Sequence, residues 1–159
     1  PRIARAMVNL SNCDVKEPLI DPFCGTGGIL IEAADMGIEV IGIDLKEKMV
    51  EYSKGNLKHY GFKGKLINSD FEEINKQKFS SIVCDPPYGI ASTSGGETIE
   101  DLMGRSLDVF QRKLRKGQRL VIAVSNPSII KHPNLKLLQK FEWYIHKSLT
   151  RNIIVLEKN

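Results

Sequence analysis

The sequence predicts an α/β fold: a doubly wound, mostly parallel sheet of seven strands with an antiparallel hairpin at the C-terminus. Three observations predict it. Short apolar runs alternate with segments of helical period as far as Ser125, the pattern of strand–helix–strand units. A glycine-rich turn, "CGTGG" (24–28), joins the first apolar run to a helix. Two β-rich runs at the end of the chain have only Thr150 between them, which reads as a hairpin.

Each element has its own signal. "ARAMVNLS" (4–11) has apolar residues at helical spacing. "PLIDPF" (18–23) is a short buried strand ending at the glycine turn, and "ILIEAADMG" (29–37) is a helix that stops at Gly37. "IEVIGID" (38–44) is the second strand. The helix over 46–61 places Met49, Val50, Leu57 and Tyr60 on one face and carries Gly55, which costs about 1 kcal/mol relative to alanine. "KLINSD" (65–70) and "FSSIVCD" (79–85) are the third and fourth strands, with a turn of helix between them at 71–78. "TIEDLMGRSLDVFQRKLRKG" (98–117) is a long amphipathic helix with Leu102, Leu107, Phe110 and Leu114 inward. "QRLVIAVS" (118–125) is the fifth strand. "NLKLLQKF" (134–141) is expected to be a short helix, followed by strands at 142–149 and 151–158. Helices then cover both faces of the sheet.

Composition narrows the function classes. The chain of 159 residues suits one domain, and 42% hydrophobic with 26% charged residues is ordinary for a globular protein. No apolar run approaches the roughly 20 residues of a membrane-spanning helix. No signal peptide is evident at the N-terminus. The chain starts at Pro1 without an initiator Met, so a removed segment or a larger parent protein is expected. The net charge of +4 is compatible with a nucleic-acid substrate but is weak evidence alone, and an ordinary surface is the first reading. Cys13, Cys24 and Cys84 are far apart and the three histidines are scattered. A zinc site or disulfide framework is not expected, and a reducing cytoplasm is the default.

In a doubly wound sheet the ligand sits at the carboxyl ends of the strands, near the switch in strand order. Each of the first four strands ends at or near an aspartate: Asp21, Asp44, Asp70 and Asp85. One or two could be explained by turn and cap preference; four in succession point to a site. Gly25, Gly27 and Gly28 let the backbone approach a ligand, but the turn is neither G-x-G-x-x-G nor a P-loop. Asp44 is placed to accept from both hydroxyls of a ribose. Asp70 is placed to accept from an adenine amine, with Phe71 packed on the ring or, equally, in the core.

"IVCDPPYG" (82–89) lies at the end of the fourth strand. Prolines donate no backbone hydrogen bond, so Asp85 and the Asp85 and Pro86 carbonyls form an acceptor-only pocket. Such a pocket fits a donor-only group such as the exocyclic amine of a nucleobase. Tyr88 is a flat surface for stacking an extruded base. "GIASTSGGE" (89–97) reads as a lid or a plain surface loop, and the basic "RKLRKGQR" (112–119) as a solvated helix end rather than a phosphate contact.

In that order, "DPFCGTGG", "IGID", "NSD" and "DPPYG" resemble the Rossmann-like S-adenosylmethionine-dependent methyltransferases that act on amino groups. Asp85-Pro86-Pro87-Tyr88 matches their N/D-P-P-Y/F signature. With "ARAMVNLS" upstream and "HKSLTRNIIVLE" downstream, the chain is similar to the archaeal tRNA guanine-10 N2-methyltransferases and their eukaryotic relatives. The resemblance implies a class I methyltransferase fold, S-adenosylmethionine as cofactor, and tRNA as substrate. It implies catalytic roles for Asp85, Pro86, Pro87 and Tyr88. The cofactor set is Asp21, Phe23, Cys24, Gly25, Thr26, Gly27, Asp44, Leu45, Asp70, Phe71 and Asp85. An RNA-binding THUMP module is expected upstream in the full-length protein, since none of it lies in residues 1–159. Two alternatives stay open: an adenine-N6 or guanine-N2 methyltransferase acting on rRNA or DNA, and a non-catalytic cofactor-binding scaffold. The oligomeric state is not legible.

Overall fold

The computed structural model describes residues 2–87, 98–146 and 149–159. Helix α1 (Arg2–Leu10) precedes β1 (Leu19–Asp21), α2 (Gly28–Asp35), β2 (Val40–Asp44), α3 (Glu47–His59) and β3 (Lys65–Asn68). A 3-10 turn, Phe71–Lys76, leads to β4 (Ser81–Cys84). Then come α4 (Ile99–Lys113), β5 (Arg119–Val124), a 3-10 turn at Pro127–Ile129, and the strands β6 (Leu135–His146) and β7 (Leu149–Lys158).

The seven strands form one sheet in the order β3-β2-β1-β4-β5-β7-β6. The first five are parallel, and β7 is antiparallel to both β5 and β6. The chain runs from β1 outward to β3, then returns to β4 on the other side of β1. The switch in strand order therefore lies between β1 and β4, with the glycine turn and the Asp85 segment at its carboxyl end.

The central strands are buried on both faces, so β1 and β4 are covered at every position and are mostly apolar, with Asp21 and Ser81 at their ends. Alternation along each strand splits the core into two clusters. Ile82, Ile122 and Ile154 pack with Phe71, Ile74, Met103 and Phe110 under α4 and the first 3-10 turn. Val83, Val121 and Val155 pack with Met7, Leu30 and Leu57 under α1, α2 and α3. This matches the expected sheet covered on both faces.

Residues 134–141 are a correction. They are not a helix: Asn134 closes a turn, and 135–141 are the first half of β6, a 12-residue strand. The ladder with β7 pairs Leu137 with Leu156 and then, after a register shift, Gln139 with Val155. Leu138 is the extra residue of that bulge, so the alternation changes phase there. Leu135 packs in the cluster under α4 and Leu138 against the other, so their spacing of three residues spans both faces of a strand rather than one face of a helix. Tyr60 is a second correction: it caps the end of α3 and is exposed rather than inward. The basic stretch 112–119 runs from the last turn of α4 to the first residue of β5, at the end of the sheet opposite the cleft, and its Arg115 pairs with Glu17.

Candidate active site

The turn after β1 is built by its own hydrogen bonds. Asp21 Oδ1 accepts from the Phe23 N–H at 3.0 Å, and the Cys24 N–H donates to Ile43 O at 2.9 Å. Gly25 has φ +51°, and a Cβ there would meet nothing within 4 Å, so the side open at Gly25 faces space a ligand can fill. Gly27, at φ +87°, serves packing instead: a Cβ there would overlap Ser53 Oγ of α3. That contact lets α2 start close against α3.

Asp44 ends β2 and ties the turn to the next helix. Its Oδ2 accepts from the Gly25 N–H at 2.9 Å and its Oδ1 from the Lys46 N–H at 2.9 Å. Each carboxylate oxygen retains a second lone pair for an incoming hydroxyl. Asp70 caps the 3-10 turn through the Glu72 N–H at 3.0 Å. Phe71 is buried among Phe23, with ring centroids 5.5 Å apart, and Phe110 at 6.0 Å. Arg105 of α4 lies 4.7 Å over the Phe71 ring and bonds Glu72 at 2.9 Å.

Together these groups border a cleft of about 330 Å³ at the carboxyl end of the sheet. Of the expected residues, Phe23, Gly25, Asp44, Leu45, Asp70, Phe71, Asp85 and Pro87 line it. Asp21, Cys24, Thr26, Gly27 and Pro86 do not. Asp21 is 2% exposed beneath the turn, and burial raises its carboxyl well above the usual range. Cys24 and Cys84 are buried, and burial raises both thiols, so neither is a thiolate nucleophile. Thr26 is exposed, and its carbonyl accepts from Asn56 Nδ2 at 2.9 Å. Tyr88 and the 89–97 stretch lie outside the described residues.

Sequence reasoning missed part of the wall. Met49 of α3 and Arg105 of α4 line the cleft. Arg151 of β7 donates from Nη1 to Asp85 Oδ2 at 2.8 Å. That pair spans 66 residues, and no local pattern marks it. The other oxygen, Asp85 Oδ1, is buried with no hydrogen-bond partner among the described residues. Burial raises the Asp85 carboxyl, and Arg151 pulls it back down. A buried carboxyl oxygen left unsatisfied beside a cleft is a place for a ligand donor.

A family model described as "RMKL-like, methyltransferase domain" matches residues 1–148. The chain belongs to that family. This RMKL-like methyltransferase domain is 40% identical to the "tRNA (guanine(10)-N2)-dimethyltransferase" of Methanothermobacter thermautotrophicus, over 99% of the chain and 48% of that protein. It is also 40% identical to the "Probable tRNA (guanine(10)-N2)-dimethyltransferase" of Methanothermococcus thermolithotrophicus, over 99% of the chain and 98% of that sequence. The domain thus spans about half the length of the first relative and nearly all of the second. Its fold matches the crystal structure of TrmN from Thermus thermophilus with a TM-score of 0.86. That match has 22% identity and covers 99% of the chain and 48% of TrmN.

The acceptor set of the cleft fits S-adenosylmethionine, the cofactor expected of such a domain. Asp44 has lone pairs left for ribose hydroxyls, Gly25 leaves room beside them, and Asp70 lies further along the same wall.

Proposed function

We propose that this domain transfers a methyl group from S-adenosylmethionine to the exocyclic N2 amine of a guanine in tRNA, at position 10. The observation that carries the reading is Asp85 Oδ1: a buried, unsatisfied carboxylate oxygen at the switch point, followed by two prolines that donate nothing. The names of the relatives support the substrate, and the cleft supports the cofactor.

When bound, S-adenosylmethionine supplies an electrophilic methyl group on a sulfonium. Asp44 accepts from the ribose hydroxyls, Asp70 accepts from the adenine amine, and the Gly25 turn leaves space for the rest. Asp85 and the Pro86 carbonyl accept the two N–H groups of the target amine. These bonds draw the nitrogen away from planarity and free its lone pair, which is otherwise delocalised into the ring. Fixing that geometry removes a large part of the barrier. The proton displaced from nitrogen leaves to Asp85 or to water. Tyr88 is the surface for the extruded base. The reading includes an upstream RNA-binding module of the THUMP type and a cytoplasmic location, where tRNA is met.

The test is Asp85→Ala, assayed with labelled cofactor against tRNA, rRNA and DNA. Cofactor affinity should stay near wild type while methyl transfer to tRNA falls by about 100-fold or more. Full activity of the variant sinks the role of Asp85, and preference of the wild type for rRNA or DNA sinks the substrate.

A further inference from the structure

We propose that Arg151 is the positioning residue of the site: it occupies one oxygen of Asp85 and so presents the other, in a fixed plane, to the target amine. The inference rests on the amine-methylation reading and adds a residue to it.

The placement follows from the sheet. The last pair between β5 and β7 is Val124 with Asn152, so Arg151 projects just beyond the carboxyl end of β5. It stands opposite Trp143 of β6, held in the ladder on that side. From there its Nη1 reaches Asp85 Oδ2 at 2.8 Å, with side chains 23% and 34% exposed respectively. A carboxylate otherwise turns readily about its terminal torsion, which has only a broad two-fold preference. One charge-assisted bond to a half-buried guanidinium restricts that rotation. The two oxygens then have separate duties. Oδ2 is tied to Arg151, and Oδ1, buried and without a partner among the described residues, is left for an N–H donor.

Charge supplies the second part. Asp85 is faced by the buried Asp21 carboxyl from β1, by the Cys84 thiol from β4, and by Arg151 from β7. Burial favours a protonated Asp85. A protonated Asp85 would present a donor where an acceptor is needed. Arg151 opposes this and stays charged at every pH at which the enzyme works. A lysine would restore the charge but not the planar fork.

The experiment compares wild type, Arg151→Lys and Arg151→Met, each with cofactor affinity measured first as a check on folding. Methyl transfer to a tRNA transcript is followed across pH, and the Asp85 carboxyl is titrated by carbon NMR with labelled aspartate. Arg151→Met should bind cofactor as wild type does, lose about 10- to 100-fold in kcat near neutral pH, and move the acid limb of the pH profile upward. The Asp85 titration should move upward with it. Arg151→Lys should return the acid limb toward wild type while kcat stays below it. An Asp85 titration that is the same in wild type and Arg151→Met overturns the proposal whatever the substrate. So does an Arg151→Met loss that is equal at every pH. Wild type that binds cofactor but methylates no tRNA overturns the parent reading instead, and the amine-presenting role of Arg151 with it.

Discussion

Gly27→Ala tests whether the glycine turn owes its shape to helix packing or to the ligand. Gly27 sits at φ +87° as the N-cap of α2. A methyl there would overlap Ser53 Oγ and lie 3.3 Å from Ser53 Cβ and 3.4 Å from its Cα. The left-handed backbone costs a residue with a Cβ about 1–2 kcal/mol. Overpacking against a fully buried neighbour adds about 1–3 kcal/mol, and the lower entropy of the unfolded chain returns about 0.4–1 kcal/mol. The net loss is about 1–4.5 kcal/mol, a large share of the about 5–15 kcal/mol that holds a domain together. Urea unfolding of Gly27→Ala, Ser53→Ala and the double variant measures it. Ser53→Ala removes the overlapping oxygen, so it should recover about 1 kcal/mol or more of the loss in the double variant. A Gly27→Ala protein within about 0.5 kcal/mol of wild type, or no recovery in the double variant, refutes the packing argument.

Three further outcomes are expected. Asp44→Asn should weaken S-adenosylmethionine binding by about 10- to 100-fold by calorimetry, because hydrogen bonds from ribose hydroxyls to a carboxylate contribute about 1.5–3 kcal/mol each. Unchanged affinity would remove Asp44 from the cofactor site. Asp21 has a folded-state pKa raised above its unfolded value by burial, so in the folded state it holds its proton to higher pH. Its contribution to stability is therefore most favourable on the acid side and declines as pH rises from the ordinary carboxylate range through the raised folded pKa. Asp21→Asn, which keeps an acceptor for the Phe23 N–H, should remove that slope and raise the urea midpoint at neutral pH. Phe110→Ala opens a void beneath Phe23 and Phe71, whose rings lie 6.3 and 6.0 Å from it, and should cost about 3–5 kcal/mol in thermal or urea unfolding.

Much of the architecture was legible because it is local. A buried parallel strand is an apolar run, a helix beside it has a period, and glycines and aspartates punctuate the ends. The same locality placed Asp44, Asp70 and Asp85 at the strand ends bordering the cleft. Where a local pattern had two causes, the sequence misled. Leu135 and Leu138 stand at helical spacing yet lie on opposite faces of β6, one against each core cluster. Asp21 carries the same signature as the other three strand-end aspartates. It is buried beneath the turn rather than lining the cleft, although its Oδ1 accepts from the N–H two residues on just as Asp70 Oδ1 does.

The sequence by itself determined the class of fold, the strand ends that carry the site and its chemical character, since acceptors without competing donors are a property of Asp85-Pro86-Pro87 as residues. Only the tertiary structure decided which carboxylate oxygen is available. Arg151 comes from a strand added antiparallel at the far end of the chain, and its meeting with Asp85 depends on where β7 enters the sheet. Strand order is a long-range choice among pairings, so no spacing in the sequence could have announced it.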